Sequence, residues 1–336
     1  MRLKIYVPII ICSILLLFSC FASSQTVWQK YSGNPVLPNS VNNPNAPFTY
    51  PWTYSPGVMY DNNRGLYRMW FCDDYNHSYA ISTAISRNGI DWFIDMNNPV
   101  LTHGQAGSFD ALLTADPSVI YDGTNYKMYY TAYNGNYSIG VATSPDGIHW
   151  EKYSGNPVIT AEGSGWESNT ASKSAVVFSD GHYLMMYVGS GNLGYAIGLA
   201  TSTDGYHWVK EPSNPVLVHG DAGTWDNVGV HIVGFAKSDS TYYLMFDGFE
   251  NISYGLATSS DAVHWTKYAQ NPVMVNSNPD LWVFGNMIAK DNELKLWYTC
   301  NLQICYATSS LTLSNNQQVK MLPIKKVNNN KKGGAK

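Results

Sequence analysis

The sequence predicts an all-β fold: a five-bladed β-propeller of four-stranded blades, with the ring closed by the N-terminal strand. Three observations predict it. A segment running from a tryptophan to Asn-Pro-Val occurs five times, beginning at Trp28, Trp92, Trp150, Trp208 and Trp265, at separations of 64, 58, 58 and 57 residues. Four of these tryptophans follow a turn: Arg87-Asn88-Gly89, Pro145-Asp146-Gly147, Thr203-Asp204-Gly205 and Ser260-Asp261-Ala262. Asn-Gly and Asp-Gly between alternating apolar residues are the strongest short hairpin signals. Finally, 14% of residues are aromatic and 13% charged, about half the usual charge. That is the reverse of a disordered composition.

Each period holds four short alternating segments rich in Tyr, Met, Val and Ile, which in the second period are 117–121, 126–131, 138–143 and 149–153. Four-stranded units repeating at this interval mark a propeller. Trp28 opens the chain with a fourth strand and no preceding three, whereas the period from Trp282 to Ser310 has three strands and no fourth. The N-terminal strand therefore completes the fifth blade, and the propeller occupies 25–310 as one domain. The recurring Trp, Asn-Pro-Val and Asp-Gly are read as architecture. Asp110, Glu167 and Asp226, each following an aromatic residue, are read as turn or cap residues.

The two ends stand apart. Arg2 and Lys4 precede an apolar run from Ile5 to Phe18 and then small residues, so 1–24 reads as an export signal; the run is too short for a span of about 20 residues. Ala22-Ser23-Ser24 suits cleavage before Gln25, and Leu17-Phe18-Ser19-Cys20 suits a lipid anchor at Cys20. A secreted or periplasmic protein, or a membrane-anchored lipoprotein, is expected. Residues 311–336 carry six Lys and no acid and read as a disordered basic tail. Without the ends the formal charge moves from -4 to near -12. An acidic, aromatic body excludes a nucleic-acid partner and suits a neutral polar ligand, a carbohydrate above all. A monomer is expected. Cys72, Cys300 and Cys305 remain, an odd count that gives no complete disulfide framework; Cys300 and Cys305 either pair across a hairpin or stay buried free thiols. No Cys/His spacing resembles a zinc site, and no metal or cofactor is expected.

Function in a propeller lies where the blades differ. Innermost strands line the channel, and second strands run antiparallel to them. Aligned on their second strands, the blades place Ser55, Asp116, Lys173, His231 and Gly285 at the innermost starts, with Asn286 adjacent. Asp73, Asp74, Tyr133, Asp247 and Glu250 fall at the ends of second strands. Asp116 leads a strand as a lone carboxylate, suited to a general base or to orienting sugar hydroxyls. Asp247 and Glu250, in a segment that departs from the repeat, are candidate proton donors. Tyr50, Trp52 and Tyr54 offer faces for stacking on sugar rings.

With five blades, Ala115-Asp116-Pro117-Ser118-Val119 and the repeated Thr-Ser-x-Asp-Gly-x-x-Trp…Asn-Pro-Val, residues 26–310 resemble the five-bladed propeller glycosidase superfamily. This group includes the arabinanase/xylosidase enzymes (glycoside hydrolase family 43), the β-fructosidases (family 32) and the mannoside phosphorylases (family 130). Family 43 implies a base Asp, an orienting Asp and an acid Glu in successive blades. Here only Asp116 matches, and Ser55 and Lys173 hold the other positions. The phosphorylase relatives imply one main acid with basic residues near a phosphate, and Asp116 with Lys173 and His231 is similar in kind. The mature chain has only Arg64, Arg68 and Arg87, none at an innermost start, so neither a strong phosphate clamp nor a sialidase site is supported. The expectation is a secreted glycoside hydrolase acting on poly- or oligosaccharides through an acidic, aromatic pocket. The alternatives are a non-catalytic carbohydrate-binding propeller and a glycoside phosphorylase.

Overall fold

The computed structural model describes residues 28–39, 52–75, 78–249, 253–275, 284–311 and 322–323. The export signal and all but three of the tail residues lie outside the described residues. Five antiparallel sheets form a ring. The first blade comprises Thr53–Asp61, Leu66–Tyr75, Ser78–Ser86 and Phe93–Ile94; the second Leu113–Tyr121, Tyr126–Tyr133, Tyr137–Ser144 and Glu151–Lys152. The third comprises Thr170–Ser179, His182–Gly191, Gly194–Ser202 and Val209–Lys210, and the fourth Val230–Ser238, Thr241–Gly248, Ser253–Ser259 and Thr266–Lys267. In the fifth, Gly285–Lys290, Glu293–Cys300 and Gln303–Ser310 are joined by Gln29–Lys30, which pairs with Thr308 and Ala307. The ring closes as the repeat arithmetic predicts. Among the described residues there is one 3-10 turn, Gly165–Glu167, and no helix long and apolar enough to cross a membrane.

The repeated motifs have a local physical cause. In every blade the motif asparagine side chain pairs with the third strand as another strand would. Asn156 Oδ1 accepts from Val141 N–H at 2.9 Å, and its Nδ2 donates to Val141 C=O at 2.8 Å. Asn34, Asn98, Asn214 and Asn271 do the same to Tyr306, Thr83, Leu199 and Leu256. All five Asn-Pro bonds are cis. At the turns, Asp146 Oδ1 accepts from the N–H groups of Ile148 and His149, and Gly147 N–H donates to Ser144 Oγ. Asp204 and Asp261 repeat this pattern. These bonds, with the nearby His149 side chain, offset burial and hold the Asp146 carboxyl below the usual carboxylate range.

The hydrophobic core is divided into five clusters, each lying between two adjacent blades. Trp28 joins the cluster between the fourth and fifth. Asp110, Glu167 and Asp226 are more than turn residues. Each is buried and receives the lysine two residues after the motif tryptophan: Lys152 to Asp110 at 2.5 Å, Lys210 to Glu167 at 2.8 Å and Lys267 to Asp226 at 2.5 Å. These pairs tie the outermost strand of a blade to the approach of its innermost strand. Cys300 and Cys305 form a disulfide across the hairpin, and Cys72 is a buried thiol.

Replacing Lys267 leaves the Asp226 carboxylate buried and unpaired, which costs about 3 kcal/mol in comparable pairs. Lys267→Met is expected to lower the urea midpoint correspondingly. An unchanged midpoint would show that the pair contributes no stability.

Candidate active site

A cavity of about 460 Å³ opens at one mouth of the ring, within the size range of small-ligand sites. Its wall is set by cross-strand register. Residues on the first strands opposite the ends of the second strands are Tyr54, Ala115, Ser172 and His231, paired with Cys72, Thr131, Val188 and Asp247. Phe284 takes the same place in the fifth blade, where its C=O accepts from Thr299 N–H at 2.7 Å. All five line the cavity.

Just after these positions the first strands of the first four blades bulge, between Tyr54 and Gly57, Ala115 and Ser118, and Ser172 and Ser174, and one residue later in the fourth, between Ile232 and Gly234. Three bulges put a non-glycine residue in the left-handed region: Ser55 at φ +51°, Asp116 at +52° and Lys173 at +39°. Such residues cost about 1–3 kcal/mol each and persist only where their surroundings hold them. Here the neighbouring blade does so. Ser55 N–H donates to Thr299 Oγ1 at 3.1 Å, Asp116 N–H to Cys72 Sγ at 3.2 Å, and Lys173 N–H to Thr131 Oγ1 at 2.9 Å. Cys72 thus earns its place as an acceptor; burial pushes its thiol up, so it stays protonated. Below the bulges the first strands draw together. A Cβ on Gly57 would lie 2.1 Å from Pro117 O, and one on Gly234 would lie 2.5 Å from Met287 Cβ.

The structure brings Asp116, Lys173, His231, Trp52 and Tyr54 to the cavity, as the sequence predicts. His231 arrives one register position earlier than expected, as the counterpart of Tyr54 rather than of Ser55, because the fourth-blade bulge falls after Ile232. Four other candidates do not line the cavity. Ser55 lies behind Asp116 and donates its Oγ to Asp116 Oδ1 at 2.5 Å. Asp73 is fully buried and accepts from Ser82 Oγ. Asp247 is buried behind His231, its Oδ1 accepting from His231 N–H at 3.1 Å and lying 3.3 Å from His231 Nδ1. Asn286 Oδ1 accepts from Val58 N–H at 3.1 Å, a link between the fifth and first blades. Asp74 lies in the strand Leu66–Tyr75, opposite Tyr79; its side chain, like Tyr50 and Glu250, lies outside the described residues.

Sequence reasoning missed Tyr79, Tyr137 and Tyr195, at or beside the starts of three successive third strands, all of which line the mouth. They recur at the same place in three blades, so nothing in the sequence sets them apart from the repeat. Tyr54 packs edge-on against Tyr79 and tilted against Phe284. Burial, aided by Cys72 and Asp116, pushes its phenol well up. The Lys173 Nζ lies 4.3 Å from the centre of the Phe284 ring, a cation–π distance. Among the described residues lining the cavity Asp116 is the one carboxylate, and no arginine is present. Among the described residues, no three potential metal-ligating side chains converge.

Comparison with known proteins agrees with the fold. The family model for beta-1,4-mannooligosaccharide phosphorylase, glycoside hydrolase family 130, matches residues 134–286. An uncharacterized protein of Mycobacterium tuberculosis is 27% identical over 182 residues, covering 52% of this chain; the chain spans 56% of that relative's length. A glycosyl hydrolase from Bacteroides ovatus superposes with a TM-score of 0.62 at 16% identity, over 89% of this chain and 98% of that one. A beta-1,2-mannobiose phosphorylase from Listeria innocua superposes with a TM-score of 0.61 at 13% identity, over 84% and 97%. The chain has the five-bladed propeller fold of the family 130 glycoside hydrolases and phosphorylases, and its resemblance to the propeller glycosidase superfamily holds.

Burial pulls the Lys173 ammonium below its ordinary value of 10.5, while Asp116, Asp247 and Cys72 pull it back up. Between the depressed value and 10.5 the unfolded chain binds more protons at this position than the folded one, so stability rises with pH in that window. The unfolding free energy of wild type relative to Lys173→Met is therefore expected to shift in favour of wild type as pH rises from about 7 to about 10. A difference independent of pH would show that the ammonium is not held in a desolvated site.

Proposed function

We propose that the chain is a glycoside hydrolase that removes terminal sugars from neutral oligo- or polysaccharides, with Asp116 as general base and His231, backed by Asp247, as general acid. Glycoside cleavage needs one group to take a proton from the incoming nucleophile and another to give one to the leaving oxygen. The observation that carries the reading is the cavity's single described carboxylate, Asp116, sharing the cavity with a histidine whose Nδ1 lies against a buried carboxylate. A carboxylate at Nδ1 orients an imidazole. With no second described carboxylate in the cavity to act as nucleophile, water attacks directly and the product leaves with inverted configuration. Trp52, Tyr54, Tyr79, Tyr137 and Tyr195 supply faces for sugar rings. The absence of arginine among the described lining residues disfavours anionic sugars. First strands that draw together beneath the cavity favour attack at chain ends.

Phosphorolysis is the second reading, favoured by the phosphorylase family model over residues 134–286. Phosphate would then take the place of water and meet Lys173. The described arginines give it little help: Arg64 pairs with Asp61, and Arg68 is buried over the rings of Trp70 and Tyr126. The export expected from residues 1–24 would put the protein outside the cytoplasm, with intact mass distinguishing a mature start at Gln25 from an acylated Cys20.

The test is a panel of β-mannan, arabinan, xylan and fructan oligosaccharides, with and without inorganic phosphate. Free reducing sugar without phosphate is expected, and Asp116→Asn and His231→Ala should each lower kcat at least about a hundredfold. Sugar 1-phosphate formed only with phosphate would establish the phosphorylase. Binding without turnover would establish a lectin-like propeller.

A further inference from the structure

Asp116 is held by the first blade at two points, its backbone amide and its carboxylate. Ser55 occupies in the first-blade bulge the place that Asp116 occupies in the second, and both are left-handed. Ser55 is only 4% exposed and does not line the cavity. Its Oγ donates to Asp116 Oδ1 at 2.5 Å, while its own N–H is anchored on Thr299 Oγ1 of the fifth blade. Asp116 N–H is anchored on Cys72 Sγ of the first blade. Asp116 Oδ2 has no hydrogen-bond partner among the described residues.

We infer that Ser55 is a positioning residue for Asp116, locking Oδ1 so that Oδ2 is the oxygen that meets the attacking water. This rests on the reading of Asp116 as general base. The outer torsion of an aspartate is a broad, nearly two-fold rotor, and a short charge-assisted O–H···O⁻ bond to one oxygen removes that freedom. Oδ2 then takes a proton from water, whose oxygen bonds to the anomeric carbon. The glycosidic C–O bond breaks with its electron pair on the leaving oxygen, which takes its proton from His231. A hydroxyl suits this position better than a second acid. A carboxylate so close would compete with Asp116 for a proton, whereas serine orients the base without adding charge.

The experiment compares wild type, Ser55→Ala, Ser55→Thr and Asp116→Asn on β-1,2- and β-1,4-mannobiose, with crystal structures of wild type and Ser55→Ala. Ser55→Ala is expected to lower kcat by about tenfold to a hundredfold, the cost of a misplaced catalytic group, with KM within about twofold and an unchanged melting temperature. Its Asp116 carboxylate should rotate. Ser55→Thr, which keeps the hydroxyl, should restore most of kcat. If Asp116→Asn abolishes turnover while Ser55→Ala turns over like wild type, the positioning role is overturned and the catalytic reading of Asp116 survives. If Asp116→Asn is as active as wild type, or wild type cleaves neither mannobiose and the Asp116 carboxylate is unmoved in the Ser55→Ala crystal, the inference is overturned. Turnover by Asp116→Asn would overturn the catalytic reading as well.

Discussion

Each sheet of this propeller buries its faces only against the sheets on either side, so that the five apolar clusters lie between blades and none lies within one. Repeat architectures share this dependence on neighbours; a ring adds the requirement that the last neighbour be the first. The N-terminal segment meets that requirement in backbone terms: Gln29–Lys30 pair with Thr308 and Ala307, Tyr31 N–H donates to Tyr306 C=O, and Leu37 exchanges hydrogen bonds with Ile304. Trp28 supplies the apolar contact beside them, and Lys30 Nζ adds a bond to Val275 C=O in the fourth blade. Everything at the mouth of the channel depends on this closure, because the fifth blade then presents Phe284 and Thr299 to the first.

The cavity is a product of the same inter-blade arrangement. The residue ending a second strand in one blade accepts the bulge amide of the next: Thr299 for Ser55, Cys72 for Asp116 and Thr131 for Lys173. In the third blade that residue is Val188, which cannot accept; in the fourth, His231, ahead of the bulge at the place of Tyr54, donates its N–H to Asp247 of its own blade. Polar chemistry at the centre therefore grows out of the bonds that hold strained backbone in place, and removing one of them disturbs both.

Much of the candidate site was legible because it broke the repeat. Asp116, Lys173 and His231 occupy places where neighbouring blades carry different chemistry, and Trp52 and Tyr54 sit at the start of an innermost strand. All five reach the cavity. Ser55, Asp73, Asp247 and Asn286 broke the repeat as well, yet they lie behind the cavity, bonded to Asp116, Ser82, His231 and the first-blade backbone. Side chains alternate along a strand, so a shift of one residue reverses the face a side chain occupies. A bulge makes such a shift without leaving a mark in the sequence. Tyr79, Tyr137 and Tyr195 were hidden for the opposite reason, since a residue that recurs can face a pocket as well as a core.

The sequence by itself determined the number of blades, the strand that closes them and the turns between strands. Those follow from local signals, hairpin dipeptides and the Asn-Pro motif, repeated at a regular interval. It also placed one carboxylate, one lysine and one histidine near the same mouth. Only the tertiary structure decided which of their neighbours line the cavity, that Cys300 and Cys305 are joined, and that Asp110, Glu167 and Asp226 are buried partners of lysines. The cavity lining and the buried ion pairs depend on residues about 40 positions or more apart or on the sub-residue geometry of a bulge, and the disulfide on two sulfurs five positions apart meeting across a hairpin. The period of a repeat says which strands exist, and only their packing says which way each side chain points.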